Sequence, residues 1–251
     1  MSKYKRVIVA GPLVVEAVYP APHPRDSTTA RAGKHHLTSE AQKRMNLKYA
    51  WQKLELLIAA NFRPRDLWIT LTYDDDHLPK SREEAQKQFK AFTRRLRKAR
   101  SEKRLELRYI YNNEHLHGDG RWHHHILINA TGSDYKQIRE LWGQGSVEFR
   151  PLRVDKEKNY ETLARYMCKE QRDKVGQRLW SGSRNLRKPE SECYRVPDET
   201  DVAAPKQAAV IADAEERTTY GHYHYLKYLA KGWLTAIPKA RTKRRRIVPR
   251  P

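Results

Sequence analysis

Residues 111–129 read YNNEHLHGDGRWHHHILIN, and the reading of this stretch decides the fold. A strand-like run up to Glu114, Gly-Asp-Gly at 118–120 and the apolar Ile126-Leu127-Ile128 predict two antiparallel strands joined by a loop. Strand side chains alternate, so residues i and i+2 share a face. His123 and His125 therefore project together, whereas His115 and His117 enter the turn, where direction is not fixed. If 115–120 form the connection, Glu114 pairs with Arg121 and Asn112 with His123. Glu114 then lies on the face of His123 and His125. Two imidazoles and a carboxylate make an incomplete ligand set for a divalent ion, with positions left for water and substrate. The plain alternative is a polar sheet face that binds nothing, and a register slip of one residue would turn Glu114 away.

The flanking segments extend the pattern. In DLWITLTYD (66–74), Leu67, Ile69, Leu71 and Tyr73 share one face, and Trp68, Thr70 and Thr72 the other, which predicts a strand. SREEAQKQFKAFTRRLRKAR (81–100) predicts a helix capped by Ser81, with Ala85, Phe89, Phe92, Leu96 and Ala99 as its apolar stripe. SDYKQIRELWGQG (133–145) predicts a short helix that turns Ile138, Leu141 and Trp142 inward and ends near Gly143. SVEFRPLRV (146–154) reads as a strand, and NYETLARYMCKEQRDK (159–174) as a long helix burying Leu163, Ala164 and Met167. Strand, helix, strand, strand, helix, strand, helix predicts an α+β fold: an antiparallel sheet with helices on one face, close to ferredoxin-like.

The expected organisation is an N-terminal arm and helix over 1–61, a central domain over 62–190, and a C-terminal extension over 191–251. In the first part, VIVAGPLVVEAV is apolar but interrupted by Glu16, and Tyr19 to Lys34 reads as a mobile arm. A helix follows, capped by Thr38 or Ser39, with Leu47, Trp51, Leu54 and Ile58 at helical spacing. The last part reads as a linker, a Tyr-rich helix-like stretch and a basic tail, KARTKRRRIVPR. That stretch holds His222-Tyr223-His224 and then Tyr228-x-x-Lys231. The expectation is that these histidines start a helix, where i and i+2 point apart, so a second active site is not expected.

Charge narrows the partner. The chain has 51 Lys+Arg against 30 Asp+Glu, a net charge of +21, which favours a polyanion through counterion release. Fourteen Tyr and six Trp supply flat surfaces on which unpaired bases can stack. Two cysteines are too few for a disulfide framework, and no stretch reaches the length of a membrane span. A reducing, cytoplasmic location without a membrane partner is the expectation.

A metal beside nucleic acid suggests phosphodiester chemistry, which needs a nucleophile. Tyr166 lies at the edge of the apolar stripe of its helix, and Lys169 follows one turn later. A phenol with a pKa of about 10 needs a cation's help to attack. Taken alone, Tyr-x-x-Lys reads as a tyrosine packed at a helix–sheet boundary beside a solvated lysine.

WITLTYDDDHLP, then Glu114 with GRWHHHILIN, then YMCK, in that order and spacing, resemble the three motifs of HUH-superfamily rolling-circle replication initiators. The resemblance is to the single-tyrosine type of small single-stranded DNA phages and related prophages and plasmids, and it spans roughly Arg65 to Pro189. It implies a metal held by Glu114, His123 and His125, a nucleophile at Tyr166 and an assisting cation at Lys169. SGSRNLRKP, with Arg184, is similar to the segment that follows the third motif in such proteins. The implied activity is nicking of single-stranded DNA at an origin through a 5′-phosphotyrosine intermediate, with strand rejoining, supported by Mg²⁺ or Mn²⁺. The implied substrate is a single-stranded DNA origin, including a hairpin form. Basic surface at Arg94, Arg95, Arg97 and Lys98, extending to Arg100, and the tail at Arg244, Arg245 and Arg246 would hold the backbone. No Gly-x-x-x-x-Gly-Lys-Ser/Thr motif occurs, so a helicase, like the host polymerase, would be a separate protein. One departure is His124, where the family has a bulky apolar residue. The competing readings are a non-catalytic nucleic-acid-binding protein on the same fold, and an HUH transposase or relaxase.

Overall fold

The computed structural model describes residues 3–21, 40–115, 120–156, 159–169, 178–219 and 221–230, with only the backbone of residue 41. Along the chain the elements are β1 (Lys3–Ala10), β2 (Leu13–Pro20), α1 (Glu40–Asn61), β3 (Leu67–Leu71), α2 (Arg82–Glu102), β4 (Tyr109–Glu114), β5 (His123–Ile128), α3 (Asp134–Trp142), β6 (Val147–Pro151), α4 (Glu161–Met167), β7 (Ser181–Gly182), β8 (Glu190–Val196), β9 (Ala209–Thr218) and β10 (Gly221–Leu229). They divide into two compact units, residues 24–189 and residues 1–23 with 190–251. Among the described residues no helix is long and apolar enough to cross a membrane.

In the 24–189 unit the strand order is β6-β3-β5-β4-β7, antiparallel throughout. The succession β3-α2-β4-β5-α3-β6 with neighbours β6-β3-β5-β4 is the expected ferredoxin-like α+β layout. Leu67, Ile69, Leu71 and Tyr73 pack with Ile126 and Ile128 against Phe89, Phe92 and Leu96 of α2 and Ile138 and Trp142 of α3. Ser81 caps α2 by accepting the Glu84 N–H at 3.1 Å. Gly143 ends α3 in the left-handed region at φ 58°, its N–H on the Arg139 carbonyl.

Four expectations in this unit are corrected. Helices lie on both faces of the sheet, because α4 sets Tyr166 against Trp68 and His125 on the side away from α2 and α3. Arg100, assigned to the basic surface, is fully buried and takes the inward place expected of Ala99. Its guanidinium meets Asp134 at 2.8 Å, Asn129 at 3.0 Å and the Glu106 carbonyl at 3.2 Å, a set of acceptors that makes burial of the charge tolerable. In α1, Trp51, Leu54 and Ile58 are buried but Leu47 is exposed; the helix packs with α4, where the Arg165 guanidinium lies 4.2 Å from the Trp51 ring centroid. Helix α4 ends at Met167, where Cys168 and Lys169 donate back three residues and tighten the last turn; residues 170–177 lie outside the described residues.

The other unit is a second antiparallel sheet, ordered β8-β1-β2-β10-β9. Three expectations fail here. The apolar N-terminal run is the β1–β2 hairpin, closed by Gly11-Pro12 with Gly11 at φ 59°, a conformation that glycine adopts without strain. The expected linker begins with β8, paired to β1. The Tyr-rich stretch is β10, because HYHYLKYL alternates: His222, His224, Leu226 and Tyr228 on one face, Tyr223, Tyr225 and Lys227 on the other. Val14, Val18, Leu226 and Tyr228 form this sheet's core with Val202. The expected arm and the Thr38/Ser39 cap fall, from residue 22 onward, outside the described residues.

Candidate active site

The site is built on the face of the β6-β3-β5-β4 sheet away from α2 and α3. Strand β4 pairs with β5 as Asn112 with His125, Asn113 with His124 and Glu114 with His123. The connection therefore runs 115–122 and the register is displaced by two residues from the expected one. A two-residue shift preserves the alternation, so Glu114, His123 and His125 still share a face. On β3, Thr70 lies opposite His125, which puts Trp68 and Thr70 on that face as well.

His125 is fixed from three sides. Its ring stacks on Trp68 with centroids 5.4 Å apart and planes 5° from parallel, and its Nδ1 lies 3.2 Å from the Thr70 hydroxyl. Its Nε2 contacts Glu114 Oε2, while Lys169 Nζ lies 2.5 Å from Glu114 Oε1. The Tyr166 hydroxyl is 3.2 Å from His125 Nε2 and donates to Glu114 Oε2 at 3.5 Å. The Lys169 ammonium also sits 4.1 Å from the Tyr166 ring centroid.

Glu114 is fully buried, which by itself would raise its pKa, yet hydrogen bonds from His125 and Lys169 outweigh burial and hold it at about 2. The same contact raises Lys169 above the usual lysine value, against the opposing effect of its partial burial. A carboxylate anion, an ammonium, an imidazole and a phenol thus converge.

His123 stands across from Glu114 and lines, with His125, Tyr166, Trp68, Arg150 and Arg153, a groove of about 620 Å³. His124 points to the opposite face, fully buried, with Nε2 2.6 Å from the Tyr73 hydroxyl and Nδ1 2.7 Å from Asn113 Oδ1. Burial, aided by His125 and His123, pushes its pKa down to about 3, so it is a neutral core residue. His115 packs on Trp122 at 4.3 Å, and His117 lies outside the described residues.

The basic residues are not gathered at the site. Arg94, Arg95, Arg97 and Lys98 are exposed on α2, behind the sheet from Tyr166, where Arg95 donates to the Leu141 carbonyl at 2.8 Å. Arg184 is exposed in the turn after β7, and Arg244, Arg245 and Arg246 lie outside the described residues. Sequence reasoning missed Trp68, Thr70, Arg150 and Arg153 as site residues. Alternation along β3 signalled the first two; pairing of Arg150 with Trp68 across β6 and β3 is a tertiary fact. Asn112, buried and on the site face opposite His125, has neither amide atom paired among the described residues.

The second histidine pair requires a correction of its own. His222 and His224 lie on β10 rather than at a helix start, so they share a face, and with Asp201 they form a cluster that could hold a metal ion. Tyr228 on the same face is buried and donates its hydroxyl to Glu16 at 2.7 Å; burial first, then Glu16, raise its pKa, the reverse of what a nucleophile needs. Lys231 lies outside the described residues.

Residues 66–171 match the family model of replication-associated proteins of the ORF2 type, which supports a replication-initiator family for the segment that builds this site. No curated protein matches the chain, and no solved structure does.

Proposed function

We propose that the protein is a rolling-circle replication initiator of the single-tyrosine HUH type, which nicks single-stranded DNA at an origin and rejoins strands. The observation that carries this reading is the position of the Tyr166 hydroxyl, 3.2 Å from His125 Nε2 and 3.5 Å from Glu114 Oε2. The family match over the same segment supports it.

Tyr166 oxygen attacks the scissile phosphorus; a phosphorus–tyrosyl oxygen bond forms and the phosphorus–O3′ bond breaks. The phenolic proton leaves toward the His125–Glu114 pair, and the departing O3′ takes up a proton to become a 3′-hydroxyl usable as a primer. One phosphodiester replaces another, so attack by a 3′-hydroxyl reverses the step and reseals a strand. Lys169, beside both the phenol ring and Glu114, stabilises the phenolate that forms. Glu114, His123 and His125 would hold a divalent ion, Mg²⁺ or Mn²⁺, which supplies charge neutralisation at the scissile phosphate. The donor set fits such an ion by chemistry and by shared face, and the unpaired amide of Asn112 beside it fits a site that takes a further ligand. Trp68 offers a face for a base, and Arg150 and Arg153 offer charge for flanking phosphates along the groove.

The test incubates the full chain with origin-derived single-stranded oligonucleotides and Mg²⁺ or Mn²⁺, then separates products on a denaturing gel. The expected result is a covalent protein–DNA adduct with wild type and none with Tyr166→Phe. Equal adduct from Tyr166→Phe removes the nucleophile assignment. Binding of the oligonucleotides without any adduct from wild type favours a non-catalytic binding protein.

A further inference from the structure

The face of the second sheet that carries His222 and His224 also presents Lys3 on β1, Glu16 on β2, and Asp213 and Glu215 on β9. Residues 197–208, between β8 and β9, supply Val202 to the core of this sheet and Asp201 to the histidines. One ligand atom from each of Asp201, His222 and His224 lies within 4.8 Å of the others, and the two histidine side chains are only 15% and 11% exposed.

The second ring nitrogen of each histidine already has a carboxylate partner. His224 turns Nδ1 to Asp201 at 2.5 Å and Nε2 to Asp213 at 2.7 Å. His222 turns Nε2 to Glu215 at 2.9 Å. Metal-binding histidines are commonly fixed in this way, with the remote N–H donated to a carboxylate so that the other nitrogen keeps its lone pair for the ion. The orientation of His222 shows the same polarity: its Nδ1 lies 3.1 Å from the Lys3 ammonium, which has only donors, so Nδ1 presents a lone pair to a cation. An ion-pair network would explain a histidinium at His224, but it does not explain a neutral imidazole aimed at a cation two residues away.

We propose that Asp201, His222 and His224 form a second metal site, for a zinc-class divalent ion, with Asp213 and Glu215 as outer partners. Two imidazoles and a carboxylate suit Zn²⁺ rather than the hard cations Mg²⁺ and Ca²⁺, which prefer oxygen donors throughout. The ion fastens the 197–208 segment to β10 and so ties β8 to the far edge of the sheet. Its role is structural, since the nearby Tyr228 is tied to Glu16. Lys3 competes for the same lone pair and swings aside on its four-carbon stem when the ion binds.

The experiment strips the full chain of metal with a chelator, restores Zn²⁺ by equilibrium dialysis, and counts bound zinc per chain by mass spectrometry. Wild type should bind one more ion per chain than either Asp201→Asn or the double variant His222→Gln/His224→Gln. Asp201 is exposed, so its variant keeps the test alive if the histidine variant fails to fold. Asp213→Asn should weaken zinc binding about tenfold, whereas Lys3→Met should strengthen it. Zinc should also protect residues 197–208 from proteolysis in wild type and not in Asp201→Asn. Equal zinc content across these proteins, or weaker binding by Lys3→Met, overturns the proposal.

Discussion

Two His-x-His pairs stand on strands of two different antiparallel sheets, and in each a histidine meets a carboxylate. What surrounds them differs. His125 is stacked on Trp68 and faces Tyr166 and Lys169, so its neighbourhood holds a nucleophile, a cation and an open groove. His224 is held between Asp201 and Asp213, beside a tyrosine whose hydroxyl is committed to Glu16. The same short motif therefore supports reaction chemistry in one setting and, as proposed, only a fastening ion in the other. The difference arises from which elements cover the sheet face: a helix edge carrying Tyr166 in one case, an irregular segment carrying Asp201 in the other.

The comparison breaks most directly at the tyrosines. Tyr166→Phe should lower adduct formation on the order of a thousandfold or more, as loss of a covalent nucleophile does, while Tyr228→Phe should leave the rate within about twofold; comparable losses from both would erase the distinction. Lys169→Met should cost on the order of a hundredfold, as removal of one preorganised charge at a developing anion does, read as single-turnover rate at saturating DNA.

Acid provides a third, gentler probe. Because the folded-state pKa of Glu114 is depressed to about 2, its stabilising contribution is complete above the ordinary value of 4.5 and is lost as pH falls toward 2. Denaturant midpoints followed across that window should fall more steeply for wild type than for Glu114→Gln, and parallel profiles would show that the His125 and Lys169 contacts carry no such energy.

The smallest effect concerns the two basic surfaces. Replacing Arg150 and Arg153 by Ala should reduce the slope of log affinity against log salt by about one per lost phosphate contact. Replacing Arg94 and Lys98, behind the sheet, should change it less. The reverse order would move the DNA path onto α2.

The two units differ as much in legibility as in chemistry. In the 24–189 unit the alternation of β3, the capped stripe of α2 and the strand–turn–strand of residues 111–129 are all readable, because each buried face has a sharp period and a clear stop. The site there tolerates an error: the register is displaced by two residues from the expected one, yet Glu114 keeps its face because alternation has a period of two. In the other unit the strands are dispersed at both ends of the chain, and β1 finds β8 almost two hundred residues later, so no local window contains the pairing. The Tyr-rich β10 reads as helical although its alternation is present, and that error conceals the face shared by His222 and His224.

By itself the sequence determined which side chains have chemistry to offer and, where one face is buried, which of them project together; these are local consequences of helical and strand periodicity. Only the tertiary structure decided what stands opposite them. It brought Tyr166 and Lys169 from α4 to Glu114, set Trp68 against His125, buried Arg100 on Asp134, and carried Asp201 across to β10. Those meetings depend on loop closure and on the packing of faces distant in the chain, and no local window of residues contains them.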